Sequence, residues 1–387
     1  MGLAGVDVIV VGGGIAGLAV AAGLRQRGAQ VLVLEQAGDF REVGAGLQIS
    51  PNGARVLQAL GLGDGLSQSA MRSRAVVLHE GASGRQVMRL DLPEGGAGFH
   101  LVHRADLIAL LASALDGVQT RFVAQVAHVN TQGPRARVTL QGGEVLAADL
   151  VLGADGLHSV IRPAMQGGAV ESPFFTGQVA WRALIPAAPD SLPEAQVFMG
   201  PGRHLVSYPL RGGRVRNIVA VEERKAWASE GWNHPDNPAN LRAAFAGFGG
   251  PVPDWLAQVS SVYLWGLFRH PVARHWHNGH AAILGDAAHP TLPFMAQGAN
   301  MALEDAWQLL RCLQHAPIDR AFHAYQNARR DRVAKVIKAA NHNARNYHLR
   351  PPLAQIAHAG LRLASKLRPD AALRQFSWIY DYDVTRA

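Results

Sequence analysis

The chain has 387 residues, 48% of them hydrophobic and 17% charged, which is ample for a large buried core in two domains or one elaborated domain. A single cysteine, Cys312, excludes an intrachain disulfide and fits a reducing compartment, so a cytoplasmic protein is expected. The formal net charge of +8 is concentrated: Arg320 to Arg350 holds eight Lys/Arg against one acid, Asp331, a net of +7 that leaves the remainder near neutral at +1.

The first predicted element is a strand, Val6 to Val11, rich in β-branched residues and far too short to span a bilayer. No basic leader or cleavage site precedes it, and no integral membrane segment is expected. Gly12 to Gly17 follows, then a helix over Leu18 to Arg27 that Gly28 stops. Gln30 to Leu34 is a second strand, closing at Glu35, so the chain opens with a βαβ unit of a parallel sheet. Ala75 to Leu78 and Gln86 to Leu90 form a hairpin around Gly81 to Gly84, and Asp106 to Leu115 is a helix. Arg121 to Val129 reads as a strand pairing with Ala136 to Leu140. Strand-like runs then alternate with turns at Val179 to Ile185, Gln196 to Met199, His204 to Tyr208 and Asn217 to Val221. Ala281 to Leu284 returns to the parallel sheet, and residues from Leu303 onward are mainly helical. The basic stretch within them suits nucleic acid, an anionic membrane or simply a solvated helix face. No nucleic-acid motif accompanies it, so no nucleic-acid partner is expected.

Three segments carry the chemistry. Gly12, Gly14 and Gly17 form G-x-G-x-x-G between a strand and a helix: the first glycine allows the tight turn, the second lets a pyrophosphate approach, the third lets helix and strand pack closely. The helix N-terminus supplies free N–H groups for the phosphates. Glu35, 18 residues past Gly17, suits the two hydroxyls of a ribose and repels a 2′-phosphate. The second segment, DLVLGADGLHSVIR from Asp149 to Arg162, is a strand, a turn and a helix beginning near His158-Ser159, with Asp155 as a candidate cap. The third, ILGDAAHPTLPFMAQGANMALEDA from Ile283 to Ala306, joins an apolar strand, the Gly285-Asp286 pair, a proline-bounded loop and a helix opening at Gly298-Ala299-Asn300. An aspartate at Asp286 can accept from a ribityl hydroxyl, and the helix end favours an anionic reduced flavin.

The order GGGIAGL, HRADL, ADLVLGADGLHSVIR, LGDAAHPTLPFMAQGANMALEDA strongly resembles the single-component FAD-dependent aromatic hydroxylases, the group of salicylate and 3-hydroxybenzoate hydroxylases. The resemblance runs from Val6 to about Arg332. It implies an α/β fold: a Rossmann-like FAD-binding domain in discontinuous pieces (1–74, 99–172 and 270–345), an inserted β-sheet substrate domain (75–98 and 173–269) and a helical C-terminal segment (346–387). It assigns FAD binding to Gly12, Gly14, Ala16, Gly17, Glu35, Gln36, Gly46, Leu47, Arg104, Val126, Asp155, Gly285, Asp286, Pro293, Gly298, Ala299 and Asn300. Gly44, Ala45 and Gln48 are expected beside Gly46 along the flavin. Asp155 is further linked to NAD(P)H. The implied cycle uses NADH or NADPH as a transient donor and O2 as co-substrate, and an oxygenated flavin, the C4a-hydroperoxide, delivers OH to an electron-rich ring. With no second Rossmann motif, the nicotinamide visits rather than resides.

Phenols react faster once deprotonated, so a base is useful. His204, with Tyr208 four residues on, is the candidate: positions four apart in a strand face one side. A structural His204 at a sheet edge is the alternative. Arg182 and Arg203 could meet a substrate carboxylate or sit on the surface. His289 is a loop histidine bonded to backbone or a catalytic one. Trp265 and Phe268 read as core. Phe294 stands where some hydroxypyridine hydroxylases carry histidine. His270, His275, His277 and His280 lack a metal-binding helical spacing and nearby acids, so no metal is expected. WRALIP, from Trp181 to Pro186, is not the two-Trp motif of flavin halogenases. The expected partner is a small aromatic compound, and the protein a monomer or homodimer. Two other readings stay open: a hydroxylase or epoxidase of a lipophilic quinone- or polyketide-type substrate, with Leu353 to Ile379 touching a membrane, and a flavin-binding, redox-responsive protein without hydroxylase activity.

Overall fold

The computed structural model describes residues 2–40, 45–167, 172–225, 234–367 and 371–386. Strand Asp7–Val11 lies between Leu150–Gly153 and Gln30–Leu34, parallel to both. Ala281–Ile283 and Gln119–Arg121 extend this sheet in the same sense, and His277–Asn278 adds an antiparallel edge. Helix Ile15–Arg25 starts three residues earlier than its apolar pattern alone suggests, because Gly14 supplies the break. Ten of its eleven residues are buried. It packs so closely on helix Gly298–His315 that a Cβ on Gly23 would lie 2.1 Å from Leu310. Gly28 ends this unit in the left-handed region (φ 80°), as its position predicts.

Two expected elements differ. Arg121 to Val129 is not one strand. Gln119–Arg121 joins the parallel sheet, Val123 turns with φ 54°, and Val126–Asn130 starts a separate antiparallel sheet with Ala136–Leu140. The turn is held because Val123 N and Ala124 N donate to the carbonyls of Ala37 and Glu35. The helix expected near His158-Ser159 begins only at Arg162. Asp155 claims the amides of Val160 and Ile161 first and keeps this stretch a turn.

An eight-stranded sheet gathers Ala75–Glu80 and Gln86–Asp91 with the strands between Phe174 and Arg269. It is antiparallel except where Glu194–Gly200 runs parallel to Ala75–Glu80. One face packs on its own apolar cluster around Trp181, Phe198, Phe245 and Leu256. The other face turns toward the parallel sheet. A small sheet, Gly46–Ile49 with His100–His103 and Met71–Arg72, lies beside the junction.

Helices Gly298–His315 and Ile318–Tyr347 close the structure. The basic stretch is only partly a solvated face. Arg329 is fully buried, 2.6 Å from Glu304 Oε2 and 2.7 Å from Asp305 Oδ1. Glu304 also accepts from Arg332 at 2.7 Å and from Asn52 at 2.6 Å. Burial alone would raise the Asp305 carboxyl, yet His289 and Arg329 hold it below its usual range. Removing the central cation leaves two buried carboxylates each short of a charged partner, Glu304 with Arg332 and Asp305 with His289. Arg329→Met is therefore expected to lose about 3–5 kcal/mol of stability, read as a lower urea midpoint; an unchanged midpoint refutes the assignment. No helix among the described residues is long and apolar enough to cross a membrane.

Candidate active site

A cavity of about 600 Å³ opens between the parallel sheet and the free face of the eight-stranded sheet. On one side it is walled by Gly12, Gly14, Ala16, Glu35, Gln36, Arg104, Val126 and Asp155, with Gly46 and Leu47 nearby. Asp286, Pro293, Gly298 and Ala299 continue this wall. The opposite wall carries Arg182, His204, Tyr208, Val219 and Val221. Of the residues expected at the cofactor, Gly17, Ala45, Gly285 and Asn300 stand behind the wall rather than in it. Gly44 lies outside the described residues.

The geometry of the glycine turn explains its sequence. Gly12 has φ 102°, and a Cβ there would sit 2.4 Å from the Ala154 carbonyl oxygen. On Gly17 a Cβ would be 1.9 Å from the Gly12 oxygen, so helix and strand touch only because the side chain is missing. Gly14 is different: nothing lies within 4 Å of its Cβ position, which leaves open space at the helix start. Glu35 accepts from Gly13 N at 2.6 Å and from Ala37 N at 2.8 Å. Each of its oxygens keeps a lone pair for a ribose hydroxyl.

Asp155 Oδ2 accepts from Val160 N at 2.8 Å and Ile161 N at 3.2 Å. Its Oδ1 is buried with no hydrogen-bond partner among the described residues, an orphan acceptor beside the cavity. Asp286 is open to the cavity while enclosed by protein. Burial pushes its carboxyl up, and His289 and Arg104 pull the other way. Burial likewise lowers the Arg104 guanidinium, with Asp286 opposing. Gly285 forms the turn before it (φ 61°), and Gly285 N donates to Asp305 Oδ2 at 3.0 Å. His289 is a buried partner of that same Asp305 oxygen, away from the cavity wall, so it supports the loop rather than facing the site. Asn300 Oδ1 accepts from Ser50 N at 3.0 Å, and its Nδ2 donates to Gln48 O and Ala296 O at 3.1 and 2.7 Å. It thereby fastens the Gly46–Ile49 strand to the helix that begins at Gly298.

The substrate-side wall follows from strand register. His204, Val206 and Tyr208 share one face of strand Arg203–Leu210 and all border the cavity. Val206 pairs with Val219, which pairs with Arg182, so Arg182 lies two strand spacings from Val206, about 10 Å. His204 and Tyr208 flank that row. Burial first and His348 second hold the His204 imidazole well below its usual pKa. Burial raises the Tyr208 phenol, against the pull of Arg182. Burial, then repulsion from Arg104, brings the Arg182 guanidinium down to about 10. Arg182 stacks over Trp265, 3.8 Å from its centroid, and its Nε has no hydrogen-bond partner among the described residues.

One expectation about this wall is corrected, and for Arg203 the surface placement left open by the sequence is the one found. Trp265 and Phe268 are not core: strand Val262–Arg269 is at the cavity's edge, and both are half-buried and line it. Arg203 does not meet the site. It sits on the opposite face of its strand from His204 and pairs with Glu222 at 3.2 Å. Asn217 had no signal beyond being a polar residue in an apolar strand. It is fully buried, and its Oδ1 accepts from Gly46 N at 2.9 Å. Gly46 must be glycine, since a Cβ would be 2.5 Å from the Tyr208 ring. The partner of His204, His348, is 144 residues away in sequence and could not be found from spacing.

A glycine cradle open at Gly14, a carboxylate at Glu35, an orphan acceptor at Asp155 and a second polar wall across an enclosed space together fit FAD with a small substrate. They define a flavoprotein whose cofactor is largely surrounded by protein. The chain belongs to the FAD binding domain family, which it matches over residues 5–340. It is 38% identical over 355 residues to the 3-amino-4-hydroxybenzoate 2-monooxygenase of Streptomyces cremeus, covering 89% of this chain and 88% of that one. Identity to the 3-hydroxybenzoate 6-hydroxylase of Klebsiella oxytoca is 33% over 355 residues, 88% of each chain. A solved salicylate hydroxylase substrate complex superposes with a TM-score of 0.84 at 25% identity, covering 99% of this chain and 97% of that one. The protein is an FAD-dependent monooxygenase that uses NAD(P)H and O2.

Proposed function

We propose that this monooxygenase hydroxylates a small phenolic carboxylic acid of the hydroxybenzoate or aminohydroxybenzoate class. The observation that carries the reading is the pairing of His204 and Arg182 on one wall, a neutral base and a cation set apart by the register of three strands. The relatives named above act on such acids by their names. FAD, when bound, supplies the electrophilic oxygen. His204 takes the phenolic proton through Nε2, which makes no hydrogen bond among the described residues. A phenolate is more electron-rich than a phenol and directs attack to its ortho and para carbons. Tyr208, kept protonated by burial, donates a hydrogen bond to an oxygen in the cavity. Arg182 meets the carboxylate, where its fork pairs with two oxygens. Trp265 and Phe268 exclude water at the edge.

On the cofactor side, the reading gives Glu35 the adenosine ribose, Gly12 to Gly14 the pyrophosphate, and Arg104 and Asp286 the ribityl region. Asp155 offers its free oxygen to cofactor or visiting nicotinamide. Gln36 and Val126 border the adenine end, and Gly46, Leu47, Pro293, Gly298 and Ala299 the flavin ring. Gly17, Gly285 and Asn300 act from behind. Domain boundaries are read at the sheet changes, with 75–98 and 173–269 as the substrate part.

The test is NAD(P)H consumption by the yellow holoprotein with 3-amino-4-hydroxybenzoate, 3-hydroxybenzoate and salicylate, with the product identified by mass. A gain of one oxygen on one of them is expected. Consumption without such a product on any acid sinks the reading. Arg182→Met is expected to raise KM for the acid by about 10–100-fold, the loss of a charged hydrogen-bonded pair of about 1.5–3 kcal/mol. The matching phenol without a carboxylate should show no such rise, and a rise on both contradicts the assignment.

We read the protein as cytoplasmic and as acting on a free small molecule rather than nucleic acid. In support, two arginines of the basic helix, Arg329 and Arg332, are taken up by Glu304 and Asp305. On helix Leu353–Leu367 the exposed Leu353, Ile356, Leu363 and Leu367 form one stripe, which favours a homodimer over a monomer.

A further inference from the structure

His204 does not end at the cavity. Its Nδ1 lies 2.7 Å from His348 Nε2, and His348 Nδ1 lies 2.9 Å from Glu223 Oε1. The side chains of His204 and His348 are buried, whereas that of Glu223 is 44% exposed. The three groups therefore form an unbroken hydrogen-bonded line from the cavity wall to solvent. Backbone contacts fix their spacing. Gly202 N donates to His348 O at 3.2 Å, and Glu223 N donates to Gly202 O at 2.9 Å. His348 caps the C-terminal end of helix Ile318–Tyr347, so helix, strand and turn are tied at one point. The rings of Phe294 and Tyr347, 5.5 and 5.3 Å from the His204 ring, complete an apolar collar. His348 is the only hydrogen-bond partner of the His204 imidazole among the described residues.

Donor and acceptor rules give this line a direction. An ionised carboxylate only accepts, so His348 donates from Nδ1. Neutral His348 then has its lone pair at Nε2, and His204 must donate to it from Nδ1. Neutral His204 is left with its lone pair at Nε2, the nitrogen available to the cavity. Glu223, at the protein surface, thus selects the tautomer of a buried histidine two groups away.

We propose that His348 and Glu223 form a proton exit path that carries the substrate's phenolic proton from His204 to solvent and holds His204 in the tautomer able to take it. This rests on the reading of His204 as the base. In the forward step the phenol O–H breaks and an Nε2–H forms on His204. The Nδ1 proton of His204 moves to Nε2 of His348, and the Nδ1 proton of His348 moves to the Glu223 carboxylate, which releases it to water. The substrate is left as phenolate, one proton has reached solvent, and both imidazoles are neutral in the opposite tautomer. Reprotonation of the product phenolate runs the same steps in reverse and restores the starting tautomers. No electrons are exchanged. His348 and Glu223 are positioning and relay residues that never touch the substrate.

The experiment uses the FAD-loaded enzyme without NAD(P)H and the probe 4-hydroxy-3-nitrobenzoate, whose phenolate absorbs in the visible. After a pH jump, stopped-flow absorbance reads the rate of ionisation of the bound probe, and a titration reads its equilibrium. Glu223→Gln keeps an acceptor for His348 but cannot carry a proton. It is expected to slow ionisation at least about tenfold with the bound equilibrium, flavin content and melting temperature unchanged. Glu223→Ala is expected to be slow and to recover when formate is added, a response that a merely structural glutamate does not produce. Wild-type rates in both variants, or no recovery with formate, overturn the relay. His204→Gln separates the two readings. If it leaves probe ionisation as in the wild type, the base assignment itself fails. If it abolishes ionisation while both Glu223 variants match the wild type, only the relay fails. A probe that does not bind the wild type counts against the phenolic-acid reading, and the relay falls with it.

Discussion

Gly14→Val is expected to purify as a folded, colourless protein, with FAD affinity reduced at least about a hundredfold, or about 2.8 kcal/mol. The backbone at Gly14 has φ −79° and ψ −175°, which valine adopts without strain. Nothing lies within 4 Å of its Cβ position. The fold therefore has no reason to reject a side chain there, and the cost falls on whatever occupies the adjoining cavity. Gly17→Ala is the contrasting case. Its Cβ would be 1.9 Å from the Gly12 oxygen, so either the helix lifts from the strand or the turn opens. Loss of both fold and flavin is expected, seen as low soluble yield and a lowered melting temperature. Circular dichroism with flavin absorbance separates the two. A yellow Gly14→Val protein with wild-type affinity removes the pyrophosphate from this position.

This contrast shows how much the sequence could carry. The spacing of Gly12, Gly14 and Gly17 between an apolar strand and an apolar helix is a local pattern, and local patterns set local geometry. The positions of Glu35 and Asp286 were legible for the same reason, since Glu35 directly follows strand Gln30–Leu34 and Asp286 lies in the turn that leaves Ala281–Ile283, both strands of the parallel sheet. Alternation placed His204 and Tyr208 on one face without any tertiary information. What stayed hidden depends on distant partners. Trp265 and Phe268 are large and apolar, so composition alone sends them to a core, yet the sheet edge they occupy borders a cavity. Arg182 and Arg203 are the same residue type on strands of similar pattern. Only the sheet's assembly turns one toward the cavity and the other toward Glu222. Asn300 sits where a flavin contact was expected, but three hydrogen bonds draw its side chain back toward Ser50, Gln48 and Ala296.

His204→Gln is expected to lower kcat by about 10²–10⁴-fold, the usual contribution of a positioned base, with FAD still bound. Glutamine can keep a hydrogen bond to His348, so the wall stays intact while the base is lost. The size of the loss follows from where the imidazole sits. Burial, then His348, holds its pKa well below 6.5, so it is neutral and able to accept a proton throughout the neutral range. The sign of the pH dependence is fixed by that direction. A base with a lowered pKa keeps its free lone pair as the pH falls through 6.5, so wild-type kcat should stay flat there and decline only at lower pH. An unshifted histidine would lose half its activity at 6.5. The same reasoning predicts how the variant responds to its substrate. Electron-withdrawing groups that acidify the phenol reduce the need for a base, so the ratio of wild-type to variant kcat should shrink along a fluorinated series. A His204→Gln enzyme with unchanged kcat, or a ratio independent of phenol acidity, would return His204 to a packing role and leave the cavity without its base.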